Sequence, residues 1–241
     1  MKPARIEKNI QMPASWSAIP FGEHYRQALD IQLAPWWQKI FGFHLLKLGH
    51  LSTEIQTKQC MIPHQFSLGE DSNIFDVAAA PEALPFADKT IDACVMSHML
   101  AYSNNPHWIL REVDRVLIDD GWLIISGFNP FSLAGMAKLV PILRKQQPYC
   151  SRFFPSLRVF DWLGLLNYEV LYHQNCQVIP WMSPDKRINK CGGVGVISVI
   201  VARKRTYPLT PTPLKFKQPK VKITTALGAT KEISKQTKLT K

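Results

Sequence analysis

Residues 91–128 constrain the fold more than any other stretch. IDACVMSH (91–98) is almost continuously apolar, the pattern of a strand covered on both faces. Asn105-Pro106 has the form of a helix start, with Asn as the cap and Pro at the first helical position. Ile109, Val113, Val116 and Leu117 then share one helical face, and Gly121 stands where that helix would close. WLIISGF (122–128) is a second apolar strand. A strand, a helix and a strand with short joins predict a parallel crossover, right-handed by the general rule.

The flanking sequence extends this unit on both sides. Tyr25, Leu29 and Leu33 recur at four-residue spacing and predict a helix over 22–41. Pro35 should break or restart it, and Gly42 should stop it. Leu45–Leu48 predicts a short strand ending at Gly49, and residues 61–68 and 74–79 predict two more. Helices are expected over 132–144 and 156–166, with Asn167 as a left-handed stop. YEVLYHQ (168–174) and VGVISVIVARK (194–204) read as strands joined by a loop, so they should pair antiparallel. The expected class is α/β: a mostly parallel sheet with an antiparallel C-terminal strand and helices on both faces.

The chain has 241 residues, 46% of them hydrophobic, enough for one good-sized core. There is no run of eighteen apolar residues, so no membrane span is expected. The start, MKPARIEKNIQMPASW, has no apolar segment and does not read as a secretory signal. Cys60, Cys94, Cys150, Cys176 and Cys191 are scattered, with no CxxC pair, which points to thiols in a reducing cytoplasm rather than disulfides or a metal site. Residues 206–241 hold eight Lys and one Glu, so they carry +7 of the net +11 and leave +4 for residues 1–205. That Pro-, Thr- and Lys-rich segment cannot bury enough surface to offset its ordering entropy and is expected to be a disordered basic tail. It is a candidate contact for RNA or another anionic partner.

Over 84–128 the residues become specific. Leu84-Pro85-Phe86, Asp88, Asp92, Arg111-Glu112, Arg115-Val116-Leu117 and Gly121 follow in a fixed order around two apolar strands. This block resembles the class I S-adenosylmethionine-dependent methyltransferases of the type 11 group, and Trp162 to Val170 is similar to that group's helix before its sixth strand. The resemblance implies a Rossmann-like methyltransferase sheet, S-adenosyl-L-methionine as cofactor, and a methyl acceptor that is a small molecule or RNA. On their own chemistry, most residues of the block read as structural, Arg111, Glu112 and Arg115 being within helical reach of one another.

The same resemblance places a cofactor pocket beyond the carboxyl ends of the parallel strands. It implies contacts from Gly49, His50, Leu51, Ala80, Pro81, Glu82, Leu84, Ser97 and His98. Where the group has Gly-x-Gly-x-Gly, this chain keeps Gly49 and carries Leu51 and Thr53. Glu70 and Asp71 lie where an acid would accept hydrogen bonds from ribose hydroxyls. Ala80 stands where the pattern calls for Asp, and its side chain cannot accept a hydrogen bond. His98, ending the fourth strand, is the candidate general base, and His173 is a second. Tyr25 is a candidate to close over the cofactor, and Trp36, Trp37 and Trp181 to wall a substrate site. Gly192-Gly193-x-Gly195 reads as a loop, since no helix follows it. The departures at Leu51, Thr53 and Ala80 keep a second reading open, a methyltransferase-like scaffold that binds a partner without catalysis.

Overall fold

The computed structural model describes residues 11–138, 140, 142, 146–178, 188–190 and 195–206. The expected tail over 206–241 lies, past Thr206, outside the described residues, as do Trp181, Gly192 and Gly193. No helix among the described residues is long and apolar enough to cross a membrane.

Among the described residues the sheet has eight strands: β1 (His44–Leu48), β2 (His64–Gly69), β3 (Val77–Ala78), β4 (Ile91–Ser97), β5 (Leu117–Phe128), β6 (Tyr168–Val178), β7 (Ile188–Lys190) and β8 (Ile197–Lys204). Their order is β3-β2-β1-β4-β5-β8-β6-β7. The first five in that order pair parallel, and β8, β6 and β7 are antiparallel. The chain builds outward from β1 to β3, then returns to the other side of β1 to lay down β4. That reversal opens a crevice at the carboxyl ends of β1 and β4, which are followed by the short helices α2 (His50–Thr53) and α3 (Met99–Tyr102).

The sheet's two faces explain the unbroken apolar strands. Ala93 and Val95 of β4, with Leu45, Trp122 and Ile124, face a core completed by helix α1 (Gly22–Trp37). Cys94 and Met96, with Leu46, Leu48, Leu123 and Ile125, face a second core formed with α4 (Pro106–Val116) and α6 (Ser156–Leu165). With period-two alternation and both faces covered, every side chain of β4 is buried.

Several boundaries differ from the sequence-based expectation, each for a local reason. Helix α1 runs through Pro35 to Trp37 without restarting. Gly42 does not cap it: with φ of 152°, Gly42 lets the Asp92 side chain come so close that a Cβ there would lie 2.4 Å from it. Asp92 Oδ2 accepts the backbone N–H groups of Phe43 (2.9 Å) and His44 (2.8 Å), tying the start of β1 to β4. Helix α4 ends at Val116, where Leu117 is already extended, and Gly121 lies inside β5 next to the left-handed Asp120. Strand β3 shrinks to two residues because Asp76 turns its carboxylate back onto Ser67, accepting from its N–H (2.8 Å) and its hydroxyl (2.7 Å). The helix expected over 132–144 is the short α5 (Leu133–Ala137), with several later residues of that range outside those described.

The Leu84–Asp88 turn is held by α4. Arg115 donates to Leu84 O (3.0 Å), Phe86 O (2.9 Å), Asp88 Oδ1 (2.7 Å) and Glu112 Oε2 (2.9 Å), while Glu112 accepts the Leu84 N–H (3.2 Å). Two helix residues thus fix both ends of one turn, and the block that looked structural is structural.

Candidate active site

The crevice is a cleft of about 1000 Å³, at the upper end of the range for ligand sites. Its floor follows from three strand ends. Gly49 leaves β1 with φ of 81°, and a Cβ there would meet Met99 Sδ at 2.9 Å and the Met12 methyl carbon at 3.2 Å. The backbone therefore comes closer to its surroundings than any L side chain permits. Gly69 ends β2 against the Phe75 ring, where a Cβ would lie 2.2 Å from a ring carbon. The His50 ring packs on Phe75 at 4.6 Å between centroids, and its buried Nδ1 has no hydrogen-bond partner among the described residues.

Around that floor stand Glu70, Asp71 and Ser72 after β2, Ala80, Pro81 and Glu82 after β3, and Met99, Tyr102, Ser103 and Asn104 after β4. Asp71 Oδ1 is engaged by Asn73, through its N–H at 2.9 Å and its side-chain amide at 3.2 Å. Glu70 makes no hydrogen bond or ion pair with another described residue, so its carboxylate is available to a ligand. The described lining holds three carboxylates and no Lys or Arg. Such a cleft favours a cationic or neutral ligand and disfavours a pyrophosphate. Gln11 and Met12 close it from the N-terminal segment, and Tyr102 OH donates to Gln147 Oε1 (2.8 Å) at its rim.

The expected site residues divide into two groups. Gly49, His50, Ala80, Pro81 and Glu82 line the cleft together with Glu70 and Asp71. Leu51, Leu84, Ser97 and His98 do not line it, and all four are buried. Leu51 points into the core, and its carbonyl accepts from Trp16 Nε1 at 2.8 Å. Thr53 turns back to His50 O (2.6 Å). Neither replacement side chain therefore occupies the space that the missing glycines would leave open.

His98 is fully buried, with φ of 58°, between Trp16 and Phe128 at ring distances of 5.0 and 4.2 Å. Its Nδ1 lies 3.3 Å from Ser126 Oγ, its backbone N–H donates to Ser126 O (2.9 Å), and its Nε2 has no partner among the described residues. Burial in this apolar cage pushes its pKa down to about 3, so the ring is neutral near pH 7. His173 lies away from the cleft, against Ser156 Oγ at 3.0 Å and Phe160. Tyr25 packs edge-on to Phe128 and Trp37 is in the core, while Trp36 stacks near Trp122 and Tyr172.

One part of the site left no mark in the sequence reading. The Ser52 hydroxyl donates to Leu48 O (2.6 Å) and accepts the Ser97 N–H (2.8 Å), linking the ends of β1 and β4 beneath the cleft. Met12, Phe75, Met99 and Ile109 likewise enter the lining from segments whose pattern showed only ordinary packing.

A family model described as "Methyltransferase domain" matches residues 44–125, which run from β1 into β5 and hold the cleft lining apart from Gln11 and Met12. The structure resembles that of a possible histamine N-methyltransferase from Thermotoga maritima, with a TM-score of 0.57 and 18% identity over 77% of this chain and 93% of that one. It also resembles the [4+2]-cyclase SpnF, with a TM-score of 0.52 and 14% identity over 75% of this chain and 82% of that one. At such identities the likeness shows the fold alone. The uncharacterised protein YafS of Escherichia coli K12 is 48% identical over 98% of this chain and 99% of its own length. Agreement over nearly the whole of both chains, with the methyltransferase domain laid out around the cleft, shows that the protein belongs to the YafS family and is built on a methyltransferase domain.

Proposed function

We propose that the cleft binds S-adenosyl-L-methionine and that the protein transfers its methyl group to an acceptor, a small molecule or RNA. The observation that carries this reading is the acidic lining around Gly49 at the switch in strand order, free of lysine and arginine among the described residues. A sulfonium cofactor carries positive charge and no phosphate, so this electrostatic environment suits it and would repel a pyrophosphate dinucleotide. Gly49 would let the methionine part lie against bare backbone, Glu70 would accept from the ribose hydroxyls, and Ala80, Pro81 and Glu82 would flank the adenine. The bound cofactor supplies an activated methyl group, and the chain's own task is alignment and exclusion of water. Met12, Met99 and Tyr102 are placed for that exclusion from two sides of the cleft.

His98 in this reading is a positioning residue, because it seals β4 against β5 behind the cleft wall. The second reading, a binding scaffold without catalysis, is favoured by one observation, the missing acceptor at Ala80. The same proposal places the chain in the cytoplasm, in keeping with its odd, scattered cysteines. It also gives the lysine-rich residues 206–241 an auxiliary, salt-sensitive attraction for polyanions; truncation after Arg205 should weaken RNA retention at low salt.

Titration calorimetry with S-adenosylmethionine and S-adenosylhomocysteine tests the reading. Saturable heat from both ligands is expected, and the absence of heat at millimolar ligand would overturn it.

A further inference from the structure

The end of the sheet opposite the cleft carries a pair of histidines that the methyltransferase reading does not use. His44 opens β1 and His64 opens β2, and the two are register partners in the parallel ladder. Both side chains take the sheet face of the α4 and α6 core, which Leu46 and Phe66 continue two residues further on. Their Nδ1 atoms lie 3.0 Å apart, and the rings meet edge to face at 5.0 Å between centroids. Gly49, where the cleft begins, is five residues along from His44, about 16 Å at the rise of a strand. The pair is therefore separate from the cleft.

The backbone sets the spacing of the two rings. The His44 N–H donates to Asp92 Oδ2 at 2.8 Å, and the His64 N–H donates to Phe43 O at 3.3 Å. Behind the His64 ring stands Phe66, at 5.1 Å between centroids, and behind Phe66 stands Phe86, at 5.4 Å. Both histidines nevertheless reach solvent, His44 half-buried and His64 exposed. The pair is held from behind and open in front. The Asp76 carboxylate, fixed by Ser67, lies within electrostatic reach of His64 and adds negative charge nearby.

The separation selects what the pair can hold. Between two neutral imidazoles only one proton can bridge the nitrogens, so one ring donates and the other accepts. A metal ion instead takes a lone pair from each ring. With metal–nitrogen bonds of about 2.0–2.1 Å, nitrogens 3.0 Å apart subtend about 90–97° at the metal. That is the angle between neighbouring ligands of a square-planar or octahedral site, whereas a tetrahedral Zn²⁺ needs nitrogens about 3.3–3.4 Å apart. Square-planar and tetragonal nitrogen sites suit Cu²⁺ and Ni²⁺, and Cu²⁺ stands highest in the affinity order of the divalent ions. The described residues hold no cluster of three metal-ligating side chains, so the remaining positions fall to water.

We propose that His44 and His64 form a two-histidine chelate for Cu²⁺ or Ni²⁺, which ties the starts of β1 and β2 together. Calorimetry of the full chain, free of any added histidine tag, with CuCl₂ and NiCl₂ tests it. One saturable site is expected. Because the paired geometry exists only in the folded chain, the metal should also raise the thermal unfolding midpoint. His44→Gln and His64→Gln should each lower affinity at least about tenfold, since losing a ligand costs no less than losing a residue that supports one. Each should also remove most of the thermal shift. Electron paramagnetic resonance of the Cu²⁺ form should show two imidazole nitrogens in the wild type and one in either variant. His64 is exposed, so His64→Gln alone decides the matter should His44→Gln fail to fold. No binding by the wild type at millimolar metal would overturn the proposal. So would a His64→Gln protein that keeps the wild-type affinity, thermal shift or nitrogen count, because the ion would then sit on other ligands.

Discussion

In the proposed reading, Gly49 and Ala80 would decide how well the cleft holds a nucleoside cofactor. Gly49 combines a left-handed φ with a near contact to Met99, so any side chain is strained there and fills the floor. Gly49→Val should lower S-adenosylmethionine affinity at least about tenfold with the circular dichroism of the fold retained. A variant that bound as well as the wild type would remove residue 49 from the site. Ala80 is the opposite case, because it lines the cleft and is exposed but contributes no acceptor. Ala80→Asp should tighten cofactor binding about tenfold, the lower end of what a charge-assisted hydrogen bond contributes at about 1.5–3 kcal/mol. Calorimetry measures it, and equal affinity in both proteins would show that the adenine amine does not reach residue 80.

At the scale of elements, the site depends on β1 and β4 ending side by side. The sequence marks both strands, but the atom that holds their ends together is the Ser52 hydroxyl, in a four-residue helix. Ser52→Ala leaves the buried Ser97 N–H without its acceptor, and the unfolding free energy should drop by about 1–3 kcal/mol in urea denaturation. A drop below about 0.5 kcal/mol, within the range of ordinary surface substitutions, would mean that the strand ends are held by packing alone. The Leu84–Asp88 turn shows how an element can be legible while its cause is not. The residue types were readable, but only the fold brings the Arg115 guanidinium onto two carbonyls of that turn and two carboxylates, Asp88 in the turn and Glu112 on its own helix.

For the whole molecule, acid sensitivity has an identifiable contributor. His98 is buried neutral, with its pKa lowered from 6.5 to about 3. The unfolded chain therefore binds a proton between those values that the folded chain does not. Stability from this group is complete above pH 6.5 and falls as pH drops toward 3. By pH 5 the loss is about 2 kcal/mol. Comparing wild type with His98→Asn, which tolerates the left-handed backbone, isolates this slope even if the variant is less stable throughout. Equal pH slopes in urea denaturation from pH 7 to pH 5 would show that His98 becomes solvated or protonated in the folded state.

The sequence by itself determined the crossover unit, the apolar strands β1, β4, β5 and β8, and the antiparallel ending. These rest on period-two and period-3.6 patterns and on Pro106 at the first position of α4, all local in the chain. It also brought Gly49, His50 and the 80–82 segment to attention, because strand ends are where a mostly parallel sheet binds ligands. Only the tertiary structure decided which side chains meet there. It buried Leu51 and turned Thr53 back, so that the lost glycines leave no obstruction; it enclosed His98 behind the wall; and it brought Met12, Phe75 and Met99 to the floor from three separate segments. A strand pattern specifies which face a residue takes. Contacts across tens of residues depend on how the packed elements are finally oriented, and that is settled by the assembled core rather than by any local run of sequence.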